Sequence, residues 1–275
     1  MTSDLSPSPF PFPLAMAQML VTGGDLSGNL DRARQGIAEA AARGARIVLL
    51  PEAMDLGWTD PSAANRASPI PDGAACQALR HAAQAHRIWV CAGITERDGA
   101  RVFNAAVLIA DTGAVVLHHR KINELEFAHA LYARGDRVAV ADTPFGRIGI
   151  LICADAFVPG HPISRTLGLL GAQLILSPCA WAVPADHDPV REPYGRLWRD
   201  CYGPVAREFG LWFAGVSNVG VLTGGPWAGR HCIGGSLLMD SSGNPVAEGP
   251  YGVAADTLLL AEIRPGPVSR RCLGP

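Results

Sequence analysis

"GRIGILICADAF", residues 146–157, sets an apolar run of strand length directly before a cysteine. With the preceding "RVAVADTPF", residues 137–145, it reads as two strands around the turn Pro144-Phe145-Gly146, the second ending at Cys153. The segments beyond Cys153 alternate in the same way. "ISRTLGLLGA" (163–172) is helical and "QLILSP" (173–178) is a strand. A longer helix over 192–210, with a kink expected at Pro204, precedes the strand "LWFAGVSN" (211–218). "CIGGSLLMDSSGNPVAEG" and "DTLLLAEI" read as antiparallel strands with a Gly243-Asn244 turn.

The first half has the same texture. "LAMAQMLV" (14–21) is a short apolar run. A helix over 29–45 places Leu30, Ala33, Ile37, Ala40 and Ala41 on one face, with Gly44 as its stop. "RIVLLPE" (46–52) is a buried strand ending at proline; a helix over 72–86 and the strand "RIWVCAGITE" come next. "VFNAAVLIA" and "AVVLHHR" flank the hairpin turn Asp111-Thr112-Gly113. Neither linker nor internal repeat interrupts the pattern. One α/β domain over 14–262, its sheets covered by helices, is the simplest architecture. Residues 1–13, rich in proline and serine, read as a flexible arm, and 263–275 as a tail suited to reaching a neighbouring copy.

Hydrophobic residues make up 48% of the 275 and charged residues 17%, so a large core can form. A net charge of -2 without a basic run argues against nucleic acid or anionic membrane as a partner. The N-terminus lacks the basic and apolar regions of a signal peptide, and no segment is an uninterrupted apolar span. Seven cysteines, an odd number without a C-x-x-C pair, suit a reducing compartment better than a disulfide framework or a zinc site. A cytoplasmic protein without metal or cofactor is expected.

Three reactive side chains stand just past apolar strands: Glu52 after "RIVLLP", Lys121 after "AVVLHHR" and Cys153 after "RIGILI". Sites in α/β sheets gather at such strand ends. Taken singly, each has a plain explanation: a solvated glutamate, a leftover surface lysine, a small buried thiol. Together they supply the base, cation and nucleophile needed to attack an acyl carbon. Lys121 is also the only lysine among 23 Lys and Arg. A compact ammonium fits where the planar guanidinium does not.

The motifs "LLPEAMDLGW", "HHRKINE" and "GRIGILICADAF", in that order, resemble those of the nitrilase superfamily of carbon–nitrogen hydrolases; "GAQLILSPCAW" and "GVSNVG" are similar to later landmarks. The resemblance implies a four-layered αββα sandwich, a homodimer or larger assembly, and hydrolysis of a small amide or carbamoyl compound. Cys153 would form the thioester, Glu52 would be the base, and Lys121 with the backbone N–H of Ala154 would hold the oxyanion. The adjacent base and cation are expected to favour the thiolate. The family often adds a second glutamate before a "Y-x-x-G" stretch, here "LYARGD", and spacing back from Gly135 lands near Ala128 or His129. Glu126, through a remodelled loop, or His129 is expected to fill that place. Glu124, three residues from Lys121, is set aside as too early. His129 could equally face solvent.

Trp58, Phe157 and Trp181 come just after the motifs and are candidate pocket residues, or ordinary core. "TGGPWAGR" lacks the lysine of a phosphate loop and reads as a loop near the pocket mouth. His118 and His119, adjacent on a strand, face opposite ways. The same residues could serve a nitrilase or an acyl transferase. A non-catalytic scaffold would not need the nucleophile, and no G-x-G-x-x-G supports a nucleotide-binding oxidoreductase.

Overall fold

The computed structural model describes residues 10–267; residues 1–9 of the expected arm and 268–275 of the expected tail lie outside them. The first half runs β1 (Phe12–Gln18), α1 (Leu26–Ala42), β2 (Ile47–Leu49), α2 (Ala63–Arg66), α3 (Ala74–His86), β3 (Trp89–Asp98), β4 (Arg101–Ile109) and β5 (Val115–Arg120). The second runs β6 (Val140–Thr143), β7 (Gly146–Ile150), α4 (Pro162–Leu169), β8 (Leu174–Cys179), β9 (Ala182–Val183), α5 (Arg196–Phe209), β10 (Trp212–Ser217), β11 (Val219–Val221), β12 (His231–Ile233), β13 (Leu237–Met239), β14 (Pro245–Glu248) and β15 (Thr257–Ile263). Phe12 and Pro13, assigned to the arm from sequence, begin β1. Their partners are Ile263 and Glu262 of the antiparallel β15.

Two six-stranded sheets result, in the orders β15-β1-β2-β3-β4-β5 and β14-β13-β10-β8-β7-β6. In each, three parallel strands lie inside and antiparallel strands outside. The parallel strands need cover on both faces, which explains their unbroken apolar runs. Side chains alternate along them. Leu14, Met16, Ile47, Leu49 and Cys91 face the second sheet, in one core with Ile150, Leu174 and Leu176. Ala15, Ala17, Val48, Leu50 and Val90 face α1 and α3. On the far side α4 and α5 cover the second sheet, burying Leu167, Val205 and Phe209. Helix, sheet, sheet, helix is the αββα sandwich expected.

Local chemistry sets the element ends. Asp25 caps α1 by accepting from the Gly28 N–H (3.0 Å), so the helix starts at Leu26, ahead of the residues whose periodicity announced it. Gly44 lies just past its end at φ +83°, a conformation open to glycine. Part of the expected tail turns back onto its own chain: the Trp212 indole donates to the Arg264 carbonyl (2.9 Å) and the Gln173 side chain to that of Gly266. No helix among the described residues is long and apolar enough to cross a membrane.

Candidate active site

Strand direction brings the three candidates together. β2 and β3 are parallel, β4 reverses and β5 reverses again, so β2 and β5 end on the same side of the first sheet. Glu52 lies three residues beyond β2 and Lys121 one beyond β5; Cys153 lies three beyond β7 of the second sheet. The two sheets touch here through the Glu52 N–H, which donates to the Cys179 carbonyl at the end of β8 (3.2 Å). Gly93 of β3 lets the backbone pass: a Cβ there would lie 2.5 Å from Glu52 Cα.

Glu52, Lys121 and Cys153 are all buried and border one chamber, together with Trp58, Leu125, Ala154, Ala180, Trp181 and Trp227. Its free volume is ≈ 10 Å³, about enough for one water. A larger cavity of ≈ 380 Å³ is also bordered by Trp181 but by none of the three reactive residues. The Lys121 ammonium donates to Glu52 Oε1 (2.7 Å), lies 3.5 Å from Glu124 Oε2 and sits 5.6 Å from the centre of the Trp58 ring. Asn104 Nδ2 donates to the same Glu52 oxygen (2.6 Å). Burial alone would lower the lysine pKa, but Glu124 and Glu52 outweigh it and hold Lys121 charged.

Here the sequence expectation is corrected. Glu124 is the second carboxylate beside Lys121. Glu126 is exposed, and His129 meets Arg134 (2.9 Å) instead of the lysine. The cause is a tight turn after β5. Asp155 Oδ1 accepts from the Ile122 (3.0 Å) and Asn123 (2.7 Å) N–H groups, folding the chain so that positions 121 and 124 face each other. The other oxygen of Asp155 binds the Ile152 N–H (2.9 Å) and His119 Nε2 (2.8 Å), so one buried carboxylate joins the lysine turn to the cysteine turn. Burial opposes its ionisation, but His119 and these N–H groups hold Asp155 below the ordinary carboxylate range. His118 points the other way, to Glu96 (3.0 Å).

Cys153 has φ +44°, a left-handed conformation that costs a non-glycine residue about 1–3 kcal/mol. Its N–H donates to Ser177 Oγ (3.2 Å). The thiol pKa is raised by a hydrogen bond to the Cys179 side chain, then by burial and the Glu52 carboxylate, against the lowering effect of Lys121. This reverses the expected bias towards thiolate: the direction of the shift favours the thiol.

Of the aromatic candidates, Trp58 and Trp181 line the chamber, whereas Phe157 packs edge-on behind Trp181 (5.4 Å between centroids). Trp227, from the loop read as lying near the pocket mouth, joins Trp58 (5.2 Å) and Phe127 (5.0 Å) in an aromatic cluster. Asn104 was missed, although a lone amide in the run "VFNAAVLIA" signals a buried partner.

Burial, with the negative charges of Glu52 and Asp155, pushes Glu124 up to about 7, even against Lys121. An ionisation near neutral pH is therefore expected in kcat/KM, activity rising as Glu124 ionises and anchors the ammonium. Glu124→Gln should abolish that limb and lower the plateau. An unchanged profile would remove Glu124 from this role.

The family model for carbon-nitrogen hydrolases matches residues 14–270. A nitrilase of Pyrococcus abyssi is 31% identical over 197 residues, 70% of this chain and 74% of that protein. An omega-amidase of Xenopus laevis is 30% identical over 178 residues, 61% of this chain and 63% of that protein. The crystal structure of an amidase from Nesterenkonia sp. superposes with a TM-score of 0.78 at 22% identity, covering 97% of this chain and 95% of that one. The match along most of its length and the shared sandwich establish that this chain belongs to the carbon–nitrogen hydrolase family, within the nitrilase superfamily.

Proposed function

We propose that the protein hydrolyses the C–N bond of a small amide through a thioester on Cys153. The supporting observation is the convergence of a thiol, a carboxylate and a doubly paired ammonium on one buried chamber. Glu52 takes the Cys153 proton, and the thiolate attacks the acyl carbon. The oxyanion is held by Lys121 Nζ and the Ala154 N–H. The departing nitrogen takes the proton from Glu52 as the C–N bond breaks. Water, deprotonated by the same carboxylate, opens the thioester, and the thiol regains its proton. Glu124 and Asn104 act as positioning residues, fixing the ammonium and the base.

The narrow chamber with walls from Trp58, Trp181 and Trp227 favours a short, mostly apolar acyl group. The test is ammonia release over small amides, carbamoyl compounds and nitriles, the last included because the Pyrococcus relative is named a nitrilase. Short amides are expected to turn over, and Cys153→Ala to be inactive. Turnover surviving in that variant would overturn the reading.

We further propose that the chain works as a homodimer or larger assembly in the cytoplasm. Exposed Leu169 and Leu170 at the end of α4, with Leu197 on α5, offer apolar surface for a second copy. The six described cysteines are free, as a reducing compartment keeps them. Light scattering at micromolar concentration is expected to give a multiple of 28.9 kDa; the monomer mass would count against assembly.

A further inference from the structure

A second thiol lies directly behind Cys153. β7 and β8 are parallel, with Ile148, Gly149 and Ile150 beside Leu174, Ile175 and Leu176. β7 ends at Ile150, and Cys153, in the turn beyond it, meets the end of β8 through its N–H bond to Ser177. The two side chains are hydrogen-bonded. Cys179 Sγ lies 3.3 Å from Ser177 Oγ and 3.5 Å from the Tyr202 hydroxyl, while Ser177 Oγ accepts the Cys153 N–H. The pair is therefore held on both sides. Both thiols are buried, at 4% and 0% exposure. Cys153 borders the substrate chamber; Cys179 does not and is 0% exposed. A small oxidant entering by the substrate path meets Cys153 first.

We infer that Cys179 is a resolving thiol, which converts oxidised Cys153 to a reversible disulfide. The oxidant is a small hydroperoxide. Cys153, deprotonated, attacks its terminal oxygen; the O–O bond breaks, and the leaving oxygen takes up the thiol proton. The peroxide is reduced by two electrons to water or an alcohol, and Cys153 becomes a sulfenic acid. Cys179 sulfur then attacks Cys153 sulfur. The S–O bond breaks, and hydroxide leaves with the Cys179 proton as water. A dithiol reductant restores both thiols by exchange and is itself oxidised to a disulfide. The bond blocks the slower course to sulfinic and sulfonic acids, which small reductants do not reverse. Cys232, the other thiol near the site, is hydrogen-bonded to the Asn218 side chain and is not the expected partner.

The experiment treats the full chain with hydrogen peroxide, blocks remaining thiols with N-ethylmaleimide, and reads intact mass and peptides under non-reducing conditions. Relative to untreated protein blocked in the same way, the wild type is expected to carry two fewer maleimide groups and to yield one linked pair of peptides carrying Cys153 and Cys179. Dithiothreitol should reverse the link. In Cys179→Ala and Cys179→Ser, each compared with its own untreated sample, Cys153 should instead gain two or three oxygens that dithiothreitol does not remove. Over-oxidised Cys153 in the wild type without that link, or a link to Cys232, would overturn the inference. Should neither variant fold, the wild-type peptide map alone decides. The readout is mass, not turnover, so it stands whether or not Cys153 proves to be the amide nucleophile.

Discussion

Lys121→Arg is expected to lower kcat/KM by about 10²–10³-fold, nearly as far as Lys121→Met, although the charge is kept. The Lys121 ammonium is wedged between Glu52 Oε1 at 2.7 Å and Glu124 Oε2 at 3.5 Å, with the Trp58 ring beside it. The side chain is 1% exposed, and the adjoining chamber has about one water's volume to give. A guanidinium is broader and planar, and it pairs two-pronged with a single carboxylate. In this space it would turn its edge to Glu52 or Glu124 and fill the position proposed for the oxyanion. Overpacking of this kind costs about 1–3 kcal/mol of stability, so the folded state survives while the rate collapses. Steady-state kinetics on the best amide, with a thermal melt of the same sample, separates the two effects. An arginine variant with near-normal kcat/KM would refute the argument.

Asp155→Asn is expected to cost about 3 kcal/mol of stability and to lower kcat even at temperatures where the variant is folded. The carboxylate accepts four contacts: the Ile122, Asn123 and Ile152 N–H groups and His119 Nε2. An amide has one acceptor oxygen. If it serves Ile122 and Asn123, its NH2 faces the Ile152 N–H, donor against donor. His119, 3% exposed, loses its charged partner. The turn presenting Lys121 and the turn presenting Cys153 then separate. The pH dependence supplies a second readout. Because the folded pKa of Asp155 lies below its unfolded value of 3.8, the wild type gains stability from it above that value and loses it as pH falls through the folded pKa. The variant should lack this part of the acid sensitivity. A difference under about 1 kcal/mol at neutral pH, with normal kcat, would show that the contact is not what holds the turns together.

The strand-and-helix order and the three reactive residues were legible because each depends on short-range pattern. Apolar runs of strand length end at Glu52, Lys121 and Cys153, and the helical face of α1 repeats with the right period. Glu124 was not legible. A chain leaving a strand gives no local sign that position 124 will fold back onto 121, and the tether that bends it is 31 residues further on, at Asp155. Trp227 was hidden for the same reason, since only the folded loop brings it against Trp58. Asn104 did carry a signal, an amide inside an apolar strand, but the partner it implied was Glu52, 52 residues away. Direction of ionisation was the remaining blind spot. Residue types suggested a thiolate, while burial and the Cys179 contact, both properties of the folded interior, favour the thiol.

Glu52 and Lys121 ride on one sheet and Cys153 on the other, so the gap between the proposed base and the proposed nucleophile is the width of a seam. Leu49 and Leu176, neither of which borders the chamber, help to set that width from within the shared core. A misplacement of about 1 Å at reacting atoms can cost about 10²-fold in rate. Trimming or thickening the seam would therefore act like a tuning screw on the chemistry. Variants selected for altered speed should carry changes in this greasy layer, with every charged residue of the site left as it was.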